Sequence, residues 1–202
     1  MRRIAVAALA VGLSACPVLA NVSTDPAQSP SGTYSVDVNH TQVLFSVLHL
    51  GITDYYGRFD KVSGTLNYDD KQPERSSVSI SIDTSTVDVP NDRLTATLKS
   101  SAVFETQEYP AATFKSTNIV RTGPTTGRIS GRLTIRDVTR PVILDATFNG
   151  GEQSPLGGYS LGFRATGTIR RSDFGLNHTI WSSFVSDDAK LIISAMFDRQ
   201  KG

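Results

Sequence analysis

The chain has 202 residues, 39% hydrophobic and 19% charged, with a formal net charge of +1. That composition supports one sizeable core and does not require two domains. Lysine and arginine are scattered, so no basic block tracks phosphates and nucleic acid is a poor partner. No apolar stretch of about 18 or more residues is present to cross a membrane as a helix.

Residues 1–20 read as a secretory signal: Arg2 and Arg3 form a positive start, Ile4 to Leu13 an apolar run, and Pro17 with Val18-Leu19-Ala20 a cleavage region. The expectation is cleavage after Ala20 and export to the periplasm. The same residues hold a rival pattern, Leu13-Ser14-Ala15-Cys16, which resembles a bacterial lipoprotein box and would anchor the chain by lipid on Cys16. Cys16 is the only cysteine, so a chain cleaved after Ala20 has no disulfide and is held by its core alone. Such cleavage lowers Lys plus Arg from 20 to 18 against 19 acidic residues, a net charge near −1. Asn21 to Ser31, rich in Ser, Thr and Pro, reads as a flexible leader, and residues 32–199 as one domain.

From there the pattern is alternation. Tyr34, Val36 and Val38 alternate with polar residues, as do Val43, Phe45 and Val47, with His49 on the same parity. Val62 to Tyr68 and Val78 to Ile82 follow, separated by turn residues. Pro90-Asn91-Asp92 then breaks the rhythm before Arg93 to Ser101. Asn91 or Asp92 can cap a helix there, with Leu94 and Leu98 on one face. Strands resume at 113–120, 129–135 and 142–148. The clearest runs from Tyr159 to Arg170, where Tyr159, Leu161, Phe163, Ala165, Gly167 and Ile169 alternate with polar or small residues. Leu191 to Phe197 closes the series. Eight or more strands with turn signals predict an all-β barrel or sandwich, and a two-faced strand of this length suits an antiparallel barrel enclosing a cavity.

Candidate chemistry is sparse. Gly158-Tyr159-Ser160-Leu161-Gly162 matches the nucleophile-elbow pattern, but Ser160 opens a strand and no helix follows. His40 and His49 differ in parity, which argues against a shared metal site; with His178 they are the three histidines. His40 and His178 read as hydrogen-bonding residues near strand ends. His49 reads either as a satisfied core residue or as the polar handle of an apolar pocket. Asp69-Asp70 and Asp187-Asp188 read as solvated turn residues.

Four blocks in order carry a resemblance. The first is Tyr34-Ser35-Val36-Asp37 with His40, Phe45 to Gly51, Gly57-Arg58-Phe59 and Gly64. The second is Phe104 to Pro110 with Thr113 to Ser116. The third is Gly131 to Ile135 with Val138 to Val142, and the fourth Arg171 to Leu176. Together they resemble the YceI-like family of secreted bacterial proteins. The resemblance implies an eight-stranded antiparallel lipocalin-like barrel with one short helix, holding a polyisoprenoid or similar long-chain amphiphile; it does not imply an enzyme, and no catalytic residue, cofactor or metal is expected. It leaves open a membrane or quinone-linked partner and the oligomeric state.

The expected lipid-binding residues on strands are Phe45, Val47, His49, Phe114, Leu133, Ile135 and Phe163. Arg93, Leu94 and Leu98 are expected from the helix, and Phe174 and Trp181 from the last block and beyond it. The family's Arg-Asp-x-His-Leu helix pattern is broken here, because Leu94 and Thr97 stand near the Asp and His. Asp137 replaces a family glycine, which bears on turn geometry. Two other readings stand beside the carrier: an exported hydrolase or isomerase on a lipophilic substrate using His49 with a carboxylate, and a structural module with a filled barrel.

Overall fold

The structure, a computed structural model, describes residues 22–153, 158–177 and 183–200. The predicted signal segment with Cys16, and also His178 and Trp181, lie outside the described residues.

Strands dominate, and they close into an eight-stranded antiparallel barrel. β1 (Gly32–Val36) and β2 (Gln42–His49) run in line along one edge of β11 (Val185–Arg199), with Val36 opposite Phe197 and Val43 opposite Ile193. β3 (Thr53–Phe59) and β4 (Val62–Tyr68) form a second interrupted strand, β3 beside β2 and β4 beside β1. β5 (Ser77–Asp83) and the short β6 (Val87–Asp88) form a third, pairing with β4 and β3 respectively. β7 (Ala111–Arg121), β8 (Thr126–Ile135), β9 (Val138–Gln153) and β10 (Tyr159–Arg170) complete the wall. The ring shuts because β1 pairs with both β4 and β11, which removes the free sheet edges there.

The break between β1 and β2 is braced, not loose. Asp37 accepts the Asn39 N–H at 2.8 Å and meets His40 Nδ1 at 2.6 Å. The Thr41 hydroxyl both donates to the Met196 carbonyl and accepts the Met196 N–H. The helix α1 (Asp92–Lys99) follows β6, and Asn91 caps it by accepting the Leu94 N–H at 2.9 Å. With residues 100–110 it links β6 to β7 across one barrel end, called here the mouth.

Two buried clusters divide the interior. One, toward the mouth, includes Val87, Phe104, Phe114, Leu133, Leu144 and Phe174; the other includes Tyr34, Leu66, Tyr68, Phe148, Leu161 and Phe197. Phe59, Val78, Ile80, Ile82 and Ile193 touch both and are only partly buried, because they face the space between.

The structure departs from the sequence reading in three places. The described part of the leader packs on the barrel: Ser23 pairs with Gly151 as an isolated bridge, and Ser29 is buried. Thr53–Phe59, which was not read as a strand, is β3. Asp187 is not a solvated turn residue. It lies in β11, accepts the Ser172 N–H at 2.8 Å and hydroxyl at 2.6 Å, and accepts from Arg170 Nε at 3.2 Å. These bonds tie β11 to the 3-10 turn Arg171–Phe174, which contacts β9 and β10. The β9–β10 pairing reaches only Thr166 opposite Asp145, and Phe174 and Leu176 are buried beside the seam beyond it. Pro141 is accommodated in that same stretch, where β9 pairs with β8 alone.

The hydroxyl of Ser172 is the leading cause holding the Asp187 carboxyl below its usual range, followed by its partial burial, which opposes the shift. A carboxylate with a lowered folded pKa stabilises the fold above its unfolded value of ~3.9 and loses that effect as pH falls through the folded value. Asp187→Ala should therefore cost about 1 kcal/mol near neutral pH, discounted for exposure. Urea titrations of the two proteins should converge in acid; a gap that stays constant from pH 7 to pH 2 would contradict the assignment.

Candidate functional site

The barrel is hollow. A cavity of about 990 Å³ runs from the α1 mouth to the opposite end, where Pro26, Tyr68, Pro73 and Arg121 line it. Its hollowness has a local cause. The Phe45 ring lies across Gly57 on β3, and the Phe114 ring lies across Gly131 on β8; a Cβ at either glycine would collide with the ring. At Gly167 a Cβ would stand 2.7 Å from Leu144 Cδ2. Large inward side chains thus fold onto bare backbone instead of reaching the axis. Ala146, Ala165, Ala189 and Ala195 add small lining positions.

Of the expected site residues, Phe45, Val47, His49, Phe114, Leu133, Ile135 and Phe163 line this cavity from the wall, and Arg93, Leu94 and Leu98 line it from α1. Phe163 sits edge-on to Phe148 and Phe197, with ring centroids 5.4 and 6.0 Å away. Phe174 does not line the cavity. It is buried in the wall beside the seam, so its role is packing. Trp181 falls outside the described residues.

Several of the cavity's polar groups lie at the mouth, among them His49, Arg93, Thr97 and Arg171. His49 ends β2 opposite Val185 and Thr53. Arg93 is exposed in the first turn of α1. Thr97, which stands where the family pattern is polar, donates its hydroxyl back to the Arg93 carbonyl at 3.0 Å. Beneath the helix, Phe45, Phe59 and Phe104 form a run of rings with centroid spacings of 5.7 and 5.6 Å.

Sequence reasoning passed over Arg171 as a lining residue. Burial lowers its pKa first, while Asp187 opposes that shift. It donates to the Ser186 and Leu176 carbonyls at 2.9 and 3.0 Å, fixing the rim where β11 begins. The available signal was its place, immediately after the last residue of the long alternating strand. Among the described residues no Asp or Glu lines the cavity, so His49 has no carboxylate partner within it. Ser160 lies on β10 and donates to Asp198 at 2.6 Å, a strand-to-strand tie and not an elbow.

The segment 100–110 is fastened to the rim. Thr84, buried, donates to the Tyr109 carbonyl at 2.6 Å. Arg136 meets Glu105 at 2.7 Å and stacks over Tyr109 at 5.4 Å. In the two-residue β8–β9 turn the left-handed backbone falls on Arg136, at φ 56°, beside the Asp137 that replaces the family glycine. The Glu105 and Tyr109 contacts hold Arg136 in that conformation.

The model of the YceI-like domain matches residues 34–197. The chain belongs to the YceI-like family. A UPF0312 protein of Ectopseudomonas mendocina is 33% identical over 175 residues, 86% of this chain and 91% of the relative. Another, from Pectobacterium atrosepticum, is 33% identical over 95% of this chain and 97% of its own length. Among solved structures, a Campylobacter jejuni YCEI protein superposes with a TM-score of 0.68 at 27% identity, covering 76% of this chain and 90% of that one. A polyisoprenoid binding domain from Saccharophagus degradans shares the fold at a TM-score of 0.65 and 17% identity, covering 83% and 98%. These matches account for the eight-stranded barrel that the four sequence blocks imply.

Because the Phe45 ring rests on Gly57, a methyl there must push the ring off the wall and into the cavity. Gly57→Ala should destabilise the fold by about 1–3 kcal/mol through overpacking. It should also weaken binding of a fluorescent long-chain fatty acid while circular dichroism stays that of a barrel. Unchanged probe affinity in a folded variant would show that the ring does not set the open volume.

Proposed function

We propose that this protein is an exported binding protein that carries a polyisoprenoid or similar long-chain amphiphile, with the tail inside the barrel and the head at the α1 mouth. The observation that carries this reading is a closed barrel around an apolar cavity of about 990 Å³. Its formally charged lining residues, among those described, are the bases Arg93 and Arg171, which lie toward the mouth with the histidine His49, and Arg121 at the opposite end. Each buried methylene contributes roughly 0.8 kcal/mol, so about ten supply ~8 kcal/mol before ordering costs. Such a wall binds a tail with few polar groups, and a cavity without carboxylates suits holding better than acid–base turnover. The Saccharophagus degradans domain of the same fold, described as polyisoprenoid binding, supports the ligand class. The signal-like residues 1–20 support export to the periplasm.

At the mouth, Arg93 and His49 suit an acceptor-rich head such as a phosphate or a quinone oxygen. Leu94 in place of a family acid, and Thr97 bonded back to its own helix, favour a less polar head than that pattern serves.

Organic extraction and native mass spectrometry of protein purified without detergent test the reading. A co-purifying long-chain lipid is expected. A bare mass, together with no binding of fluorescent isoprenoid or fatty acid, would sink it. Phe163→Asp should abolish retention by placing an unpaired charge in the cavity, with circular dichroism excluding misfolding. His49→Ala and Arg93→Ala should weaken polar-headed ligands far more than plain hydrocarbons, and equal loss for both would remove the head-group assignment. In the same spectra, protein from its native host should begin at Asn21; an acylated mass from Cys16 would mean a tethered carrier.

A further inference from the structure

The end of the barrel opposite α1 is closed by a segment whose composition gives no hint of packing. Residues 22–31 carry Pro26 and Pro30, which have no N–H and cannot continue a strand ladder. Three tyrosines from three strands hold the segment instead. Tyr68 on β4 donates to the Pro26 carbonyl at 2.8 Å, and Tyr34 on β1 donates to the Pro30 carbonyl at 2.6 Å. The Tyr159 hydroxyl on β10 lies 3.4 Å from the hydroxyl of buried Ser29. Burial pushes the pKa of both Tyr34 and Tyr68 up to about 12, so these donors keep their protons at physiological pH.

The wall is shaped to receive the segment. Ser23 exchanges two backbone hydrogen bonds with Gly151, at 2.9 and 2.8 Å. A Cβ at Gly150 would stand 2.8 Å from Val22 Cγ1, and one at Gly151 2.5 Å from Ser29 Oγ. Asp25 caps the 3-10 turn Pro26–Gln28, and Pro26 of that turn lines the cavity. Arg121, the charged lining residue of this end, turns its donors to the Gly123 and Pro124 carbonyls at 2.9 and 2.8 Å. This end meets the cavity with Pro26, Tyr68 and Pro73, and two of the Arg121 donors are engaged by its own turn.

We propose that residues 22–31 are the floor of the binding cavity and set the longest chain the barrel accepts, with Pro26 as the residue against which a tail ends. The proposal rests on the lipid-carrier reading. A tail entering at the mouth gains about fourfold in affinity per buried methylene until it meets the floor, and nothing for methylenes beyond it.

Isothermal titration with a homologous series of saturated fatty acids tests this in the full exported chain. Affinity of the parent protein should rise with chain length and then level at one length. Pro26→Phe, which keeps the segment and thickens the floor, should move the levelling point to shorter chains. Deleting residues 22–29 should move it to longer ones. Within the limits both should stay within about twofold of the parent for short chains, which a general loss of stability would not permit. If the deletion does not fold by circular dichroism, Pro26→Phe alone decides. An unchanged levelling point in every folded variant overturns the floor, whereas a parent protein that binds neither this series nor a fluorescent isoprenoid overturns the carrier reading beneath it.

Discussion

Phe45 lying on Gly57, and Phe114 lying on Gly131, decide whether this barrel is filled or hollow. Eight strands make a ring only wide enough for inward side chains to meet at the axis if they extend toward it. Here the bulkiest side chains bend onto the backbone of the neighbouring strand, which is bare because those positions are glycine. The wall stays densely packed and the axis stays empty. A protein with this arrangement presents an apolar surface to its own interior without filling it, which is the form of a small-molecule site.

The same pairing explains what the sequence withheld. Thr53–Phe59 alternates as a strand does, with Tyr55, Gly57 and Phe59 on one parity. The inward position at Gly57 has no side chain, because its place is taken by a ring from β2, and a period-two reading finds a gap there. The alternating strand at 159–170, the Asn91 cap and the inward parity of Phe45, Val47, Leu133 and Phe163 were readable because local pattern alone determines them. Phe174 was misplaced for the opposite reason. Its burial comes from a seam between β9 and β10, and no periodicity within 171–176 reports where two distant strands part. Asp187 was likewise hidden, since its partners Ser172 and Arg170 come from another element.

Segments 22–31 and 100–110 show how irregular chain can finish a barrel. Segment 22–31 has little apolar content and segment 100–110 reaches the core through Val103 and Phe104, and both are held by side chains on the wall: tyrosine hydroxyls at one end, Thr84 and Arg136 at the other. Proline carbonyls are ordinary loop features, and a left-handed arginine is an uncommon one. They become structural only because strands with matching donors and acceptors surround them. The interior is thus bounded by three different devices: a pleated wall, a short amphipathic helix, and a proline-rich strap.

The strap also fixes where the two ends of the described chain lie. Val22 packs beside Gly150, and the Gln200 N–H donates to the Thr33 carbonyl at 2.9 Å, so both leave the barrel on the side away from α1. An affinity tag, a fluorophore or a surface linkage joined directly at Val22 or at Gln200 therefore stands at the far pole from His49 and Arg93. Molecules immobilised through either of these two positions present the α1 side outward, and a monolayer of them would be oriented by chain geometry alone.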